Sequence, residues 1–261
     1  MTHARLIHVR GVVQGVGFRP YVFRLARTHA LAGWVLNGDE GVQIHVEGPE
    51  DALHAFVAEL GAHPPPAATI AALEVSAAAP AHYDRFAIRE SRHAGAPTTR
   101  ISPDLPVCDA CLRELADDSS PRRGYPYINC TECGPRYSIV RALPYDRART
   151  TMAGWPMCEG CGAEYRDPSD RRFHAQPTAC HMCGPHYYLL IGALQVARED
   201  AAIGVAARLL RDGEIVAVKG LGGYHLACDA SNAGAVSALR ERKYRKEKPF
   251  AVMVRDEAVA R

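Results

Sequence analysis

The sequence predicts an α/β multidomain protein: a β-α-β-β-α-β ferredoxin-like sandwich, a duplicated four-cysteine block, and a further partial α/β segment. Residues 1–91 read in the order strand, helix, strand, strand, helix, strand, which is a split βαβ arrangement. Eight of the nine cysteines form four Cys-x-x-Cys knuckles, Cys108/Cys111, Cys130/Cys133, Cys158/Cys161 and Cys180/Cys183. Eighteen residues separate the first pair from the second, and eighteen again the third from the fourth. The expected organisation is a first domain at 1–91, a linker at 92–107, the cysteine block at 108–190 and a further α/β segment at 191–261.

Each element of the first domain has a local reason. LIHVRGVV alternates as a strand. RPYVFRLARTHAL is a helix with Pro20 in its first turn, where a missing N–H does no harm, and with Val22, Leu25, Ala26 and Ala30 on one buried face. GWVLNGDEGVQIHVEG forms two strands joined by the turn Asn37–Gly41. Pro49-Glu50-Asp51 opens a second helix running to about Leu60, its acids complementing the dipole. HPPP is loop, and TIAALEVSAA and YDRFAIRES are strands.

The loop Gln14-Gly15-Val16-Gly17-Phe18-Arg19 joins the first strand to the first helix. Two glycines permit a tight arc whose successive N–H groups, at a helix N-terminus, form an anion nest. Arg19 adds a forked donor set suited to a phosphoryl group. Asn37, at the end of the next strand, both donates and accepts, which suits holding a water beside an electrophile. No Ser, Cys or His stands where a covalent nucleophile is expected, so the arrangement suits direct attack by water. The same residues also fit an ordinary Gly-rich turn, a solvated arginine and a plain Asn-Gly hairpin.

SRHAGAPTTRISPDLPV has linker composition. The two cysteine modules then align at an offset of fifty residues, which indicates a duplication. The tight spacing, with no apolar secretory run at MTHARLIHVRG, favours zinc-held thiolates in a reducing cytoplasm over disulfides. Four thiolates complete a tetrahedron with no open position, so two structural zinc ions are expected. His174, His181 and His186 stand nearby, but the full cysteine count leaves no place for them. First-with-second and third-with-fourth is the favoured knuckle pairing, and an interleaved one stays open.

A formal net charge of +2 gives no reason to expect a nucleic-acid partner, and the most apolar later run, YYLLIGALQVA, is too short to cross a membrane. Arg122-Arg123 and Arg171-Arg172 keep nucleic acid as the standing alternative for the cysteine block. Beyond it, a helix stops at Gly213, EIVAVKG is a short buried strand, GLGGYHLACDASN a glycine-rich loop, AGAVSALRERKYRKEKPF a helix turning basic, and AVMV a strand. Arg240, Arg242, Lys243, Arg245, Lys246 and Lys248 form either a solvated face or the lining of a phosphate or RNA site. Cys228 reads as a small buried apolar residue.

These motifs resemble known families. VRGVVQGVGFRPYVFRLA with GWVLNGDEGVQIHVEG is similar to the acylphosphatases over residues 5–91. That resemblance implies phosphate binding by the 14–19 loop amides and Arg19, with Asn37 positioning the attacking water. KGLGGYHLACDASN with LRERKYRKEKPFAVMV resembles the YrdC-like domain, implying that Lys219, Lys243, Arg245 and Lys248 contact ATP, used with magnesium, or carbamate.

The order of the three parts resembles the HypF family of hydrogenase maturation carbamoyltransferases, and the chain looks like an N-terminal portion of such a protein. The resemblance implies that carbamoyl phosphate is split at the first domain and that carbamate reacts with ATP to give carbamoyl adenylate. The carbamoyl group then passes to the terminal cysteine of HypE, as a precursor of the nickel-iron site's cyanide ligands. The alternatives are a stand-alone acylphosphatase with a zinc-stabilised appendage and an RNA-associated YrdC-like module.

Overall fold

The computed structural model describes every residue except 1, 93, 94, 96–99, 101 and 221. Part of the expected linker therefore lies outside the described residues. Two compact units are present, Met1–Pro185 and His186–Arg261.

In the first unit, β1 (His3–Val12), α1 (Phe18–Thr28), β2 (Ala32–Gly38), β3 (Gly41–Gly48), α2 (Glu50–Ala62) and β4 (Thr69–Ala78) follow the expected order, and the strand expected in YDRFAIRES is the short β5 (Phe86–Ile88). The sheet order is β4-β1-β3-β2-β5, antiparallel except where β5 runs parallel to β2. Strand alternation sends Ile7 and Val9 of β1, and Val42, Ile44 and Val46 of β3, to one face. Val22, Leu25 and Ala26 of α1 and Leu53, Phe56 and Leu60 of α2 close over them as a single buried core. Phe56 is fully buried there. Phe56→Ala should cost about 3–5 kcal/mol, read as a lowered denaturant midpoint of the first domain.

The first helix is shorter than its periodicity suggests. It ends at Thr28, and Ala30 lies outside it, exposed and at φ 50. The N–H of Leu31 still reaches the Ala26 carbonyl at 2.9 Å, so the chain turns sharply into β2. The β2–β3 hairpin closes with Gly38 opposite Gly41, which sets Asn37 opposite Val42 on a paired strand.

In the cysteine-rich block, α3 (Asp109–Ala116) and α4 (Glu159–Arg166) each begin directly after a knuckle cysteine, Cys108 or Cys158. The fifty-residue offset thus holds in backbone as in sequence. Between them lie only three short 3-10 turns, at Tyr137–Ile139, Arg147–Arg149 and Thr151–Gly154.

The second unit contains a hairpin, β6 (Tyr188–Ile191) and β7 (Leu194–Arg198), then α5 (Glu199–Arg211), a second hairpin of β8 (Val216–Lys219) and β9 (Tyr224–Ala227), and α6 (Ala233–Arg242). Gly213, at φ 86, follows α5 as expected. Three expectations are corrected. The glycine-rich segment contains β9, because Tyr224–Ala227 pairs antiparallel with β8. β8 is not a buried strand: of its residues only Val216 is buried, since a two-stranded hairpin covers little surface. Residues 251–254 form no strand among the described residues, because no neighbouring strand pairs with their backbone groups.

Candidate active site and metal centres

The loop between β1 and α1 holds Gly15 at φ 76 and Gly17 at φ 75, a left-handed conformation that a side chain would strain. Gly17 is the N-cap of α1 and no side chain caps that end, so no cap competes for the first-turn N–H groups. Val16 and Phe18 anchor the loop by burying their side chains in the core. Gln14 is buried and serves as a tether. Its Nε2 donates to the carbonyls of Gly38 (2.8 Å) and Gly41 (3.0 Å), tying the loop to the hairpin that carries Asn37. Its side chain is thereby occupied, and only its backbone is left for the phosphate role expected of it.

Arg19 and Asn37 come together. Arg19 is 7% exposed and Asn37 fully buried. With the Asn37 amide oxygen turned to the guanidinium, it accepts from Arg19 Nε and Nη2 at 3.3 Å each. In the other orientation Nδ2 donates to the Tyr145 carbonyl at 3.3 Å. An amide poised between a cation and a carbonyl can hold a water in either sense.

The cysteine-rich block covers this pair. Arg19 Nη2 lies 2.8 Å from Asp146 Oδ1 and 3.4 Å from the Tyr145 carbonyl, and the Tyr145 N–H donates to Gln14 Oε1 at 3.0 Å. A Cβ on Gly15 would lie 2.9 Å from Pro135, so the covering segment leaves room only for glycine there. Gly15, Gly17, Arg19 and Asn37 on one side, and Tyr145 with the 174–177 segment on the other, enclose a cavity of about 20 Å³. That holds about one water molecule. Asp146, Tyr145, His174 and Gln176 were not singled out for this site by sequence, since they lie over a hundred residues from Arg19. His174, read there as a neighbour of the zinc ligands, lines this cavity instead. Its imidazole is pushed down to about 4, by burial first and by the charge of Arg19 second, against an opposing pull from Asp146. It is therefore neutral at neutral pH.

The eight knuckle cysteines gather into two clusters, Cys108/Cys111/Cys130/Cys133 and Cys158/Cys161/Cys180/Cys183, with the sulfurs of each within 4.8 Å of one another. The knuckles pair first with second and third with fourth. Sulfur separations of 3.5, 3.6 and 3.8 Å in the first cluster, and 3.7 and 3.9 Å in the second, are far longer than a disulfide. They fit the edge of about 3.8 Å that follows from a tetrahedron with zinc–sulfur bonds of about 2.3 Å. The residues present therefore fit a closed metal site in each module.

The modules clasp each other reciprocally. Arg122 of the first donates to the Ala179 carbonyl (2.9 Å) and to Glu164 (2.8 Å) of the second. Arg172 of the second donates to the Asn129 carbonyl (3.1 Å) and to Glu114 (2.6 Å) of the first. Arg171 also pairs with Glu114. Each cluster receives a guanidinium from the other module: Arg122 Nη2 lies 3.1 Å from Cys161 Sγ, and Arg171 Nη1 3.1 Å from Cys111 Sγ. Burial pushes the Glu114 carboxyl up, but Arg172 and Arg171 hold it below the usual range. Arg122 and Arg172 are buried in ion pairs, which removes these two from the nucleic-acid face the sequence left open, while Arg123 stays on the surface beside Asp118.

In the second unit, Lys219 lies at the end of β8 with Nζ 4.9 Å from the Tyr224 ring. Arg245 stacks on Phe250 and donates to the carbonyls of Lys248 and Pro249, while Arg240 donates to those of residues 245, 246 and 248. Lys243 and Lys248 are exposed. The basic run is thus folded on itself as a turn. Cys228 is half-buried.

Three family models match the chain. Acylphosphatase matches residues 6–88, HypF finger residues 107–140 and 157–190, and the model described as Telomere recombination residues 208–261. The chain is 55% identical over 256 residues to carbamoyltransferase HypF of Rhodobacter capsulatus, covering 98% of itself and 34% of that protein. It is 44% identical over 84 residues to the acylphosphatase of Thermotoga petrophila, covering 92% of that protein. Among solved structures it resembles full-length HypF in the phosphate- and nucleotide-bound form, with a TM-score of 0.90 and 46% identity over 100% of this chain and 34% of that one. It also resembles T. kodakarensis HypF, with a TM-score of 0.85 and 49% identity over 95% of this chain and 32% of that one. The chain spans about a third of the length of the HypF relatives it matches. Three matched segments in one order, on the fold and cysteine clusters described above, lead to one conclusion: the chain belongs to the HypF family, and its first domain is an acylphosphatase domain.

Proposed function

We propose that the Arg19–Asn37 site hydrolyses carbamoyl phosphate. The observation that carries this reading is the placement of Arg19 and Asn37 within 3.3 Å of each other at the mouth of a left-handed glycine cradle. The phosphoryl group sits on the cradle amides and the Arg19 fork. Asn37 orients a water for in-line attack, a new P–O bond forms, the bond to the acyl oxygen breaks with its electron pair leaving on carbamate, and the water's proton stays on the phosphate formed. Asp146 and the Tyr145 carbonyl lie on Arg19 where phosphoryl oxygens would bind. Substrate must therefore exchange with them, and the segment carrying them must shift, because the cavity holds only about one water.

The eight cysteines hold two zinc ions as closed structural sites, whose role is to fix the covering block over the cradle. In the larger reaction the carbamate passes to ATP-dependent carbamoyl adenylate formation and the group ends on the terminal cysteine of HypE. Lys219, Lys243, Arg245 and Lys248 are the candidate contacts in this chain for ATP, bound with magnesium, or for carbamate. No helix among the described residues is long and apolar enough to cross a membrane, and zinc thiolates need a reducing compartment, which supports a cytoplasmic location.

The test is phosphate release from carbamoyl phosphate. Asn37→Ala should lower kcat about a hundredfold while inhibition by phosphate stays nearly unchanged, because Asn37 acts on water. A variant as fast as the wild type would remove Asn37 from the mechanism.

A further inference from the structure

The fifty-residue duplication provides an internal control for every position in the cysteine block. Gly124 of the first module corresponds to His174 of the second. Both take the same left-handed backbone, φ 67 and φ 56, and make the equivalent bond, Gly124 N–H to the Leu115 carbonyl at 2.9 Å and His174 N–H to the Tyr165 carbonyl at 3.0 Å. Glycine is the residue that adopts this backbone without strain, and the first module uses it. The second module carries histidine at the same strained position, and this is the copy that lines the cavity beside Arg19 and Asn37. Backbone strain retained at one copy of a repeat, where that residue lines the cavity shared with Arg19 and Asn37, points to a role for that side chain.

The ring is held in place. It packs edge-on to Phe173, with centroids 4.7 Å apart, and against Tyr165 at 4.9 Å. Phe173 in turn packs on Phe23 of α1 at 5.2 Å, which fixes the segment to the helix that carries Arg19. Gln176 Nε2 donates to the His174 carbonyl at 2.8 Å.

We propose that His174 is a specificity-determining residue of the acylphosphatase site, hydrogen-bonding the carbamoyl half of the substrate while the cradle holds the phosphoryl half. This rests on the functional reading above. With phosphate on the amides of residues 15–19, the acyl half would occupy the rest of the cavity, whose lining includes the 174–177 segment. A neutral imidazole offers one N–H donor and one bare nitrogen acceptor. A carbamoyl group offers a complementary N–H and C=O. An acetyl group of nearly the same shape lacks the N–H, so a site built around this acceptor distinguishes the two. Burial and the neighbouring Arg19 keep the ring neutral, which suits it to this role and not to donating a proton to the leaving group. Carbamate leaves as a stable anion and needs no such donor.

The experiment measures kcat/KM for carbamoyl phosphate and acetyl phosphate, and inhibition by phosphate, in the full 261-residue chain. His174→Gly takes the residue of the first module, so its backbone is compatible. It should lower kcat/KM about a hundredfold for carbamoyl phosphate and less than about threefold for acetyl phosphate, with inhibition by phosphate unchanged. His174→Asn, which keeps a donor and an acceptor, should recover part of the preference, and it decides the matter if His174→Gly loses metal or melts early. An equal loss on both substrates, no loss on either, or a matching loss of phosphate inhibition overturns the proposal. Wild-type protein that cleaves acetyl phosphate but not carbamoyl phosphate also overturns it and leaves an acylphosphatase. Wild-type protein that cleaves neither overturns the functional reading itself.

Discussion

Arg19→Ala should lower kcat/KM for carbamoyl phosphate by about a thousandfold or more, equivalent to about 4 kcal/mol of transition-state stabilisation. Arg19 lines the cavity beside the glycine cradle and contacts Asn37, and it does so from a nearly dry position, 7% exposed. In such a setting a guanidinium acts on developing phosphoryl charge far more strongly than it would in water. Its loss removes a forked donor from the phosphoryl group and the partner that holds the Asn37 amide. Phosphate inhibition should therefore weaken together with the rate, in contrast to Asn37→Ala. Arg19→Lys should recover little, because an ammonium cannot span two oxygens while also contacting the Asn37 amide. The control is metal content and thermal midpoint, since Arg19→Ala also frees Asp146 from its 2.8 Å ion pair. A variant with normal metal content and near-normal rate would mean that the chemistry lies elsewhere.

Arg19 and Asn37 were legible because each belongs to a local pattern. A Gly-x-Gly arc before a helix and an Asn-Gly at a hairpin declare their backbone geometry without reference to distant residues. The cysteine clusters were legible for a similar reason, since each knuckle is local and the duplication suggests how knuckles pair. What escaped was everything that tertiary contact creates. Tyr145, Asp146 and Gln176 are unremarkable in sequence and reach the site only because the block between and after the knuckles lies over the cradle. Gln14 looked like part of the cradle, yet its side chain ties the loop to the hairpin. The arginine pairs suggested a nucleic-acid face, because nothing local reveals that Glu164 and Glu114 of the facing module bury Arg122 and Arg172 in ion pairs. One signal was available: aligning the duplicated modules sets His174 against Gly124, a departure at a position where the repeat uses glycine.

Stripping the metal should release two zinc ions per chain and unfold the cysteine-rich block while leaving the first domain folded. The contrast follows from what each part has to hold it. The first domain encloses a core of seventeen buried apolar residues between a five-stranded sheet and two helices. The buried cluster of the cysteine block contains Tyr125, Ile128, Met152, Ala179 and three of the cysteines themselves, Cys111, Cys130 and Cys133. Its regular structure amounts to two eight-residue helices and three short turns. So little apolar area cannot offset the chain entropy of ordering it, and binding free energies of about 10–16 kcal/mol per structural zinc are of the size needed. The arginine clasp makes the two sites interdependent, because Arg171 lies 3.1 Å from Cys111 Sγ and Arg122 3.1 Å from Cys161 Sγ. Losing the thiolates of one cluster takes a sulfur contact from a guanidinium of the other module, which is then left with its glutamate pair. Cys130→Ala should accordingly reduce bound zinc below one per chain, where independent sites would retain one. A metal-sensitive dye reads the zinc released, and limited proteolysis should cut within residues 108–185 while the 1–91 core persists. With the covering block unfolded, Tyr145 and His174 no longer close the cavity, so preference for carbamoyl over acetyl phosphate should fall together with protease resistance. A metal-free block that stays protease-resistant would mean that packing and the clasp alone hold it, and a Cys130→Ala chain retaining one full zinc would mean that the clasp does not couple the sites.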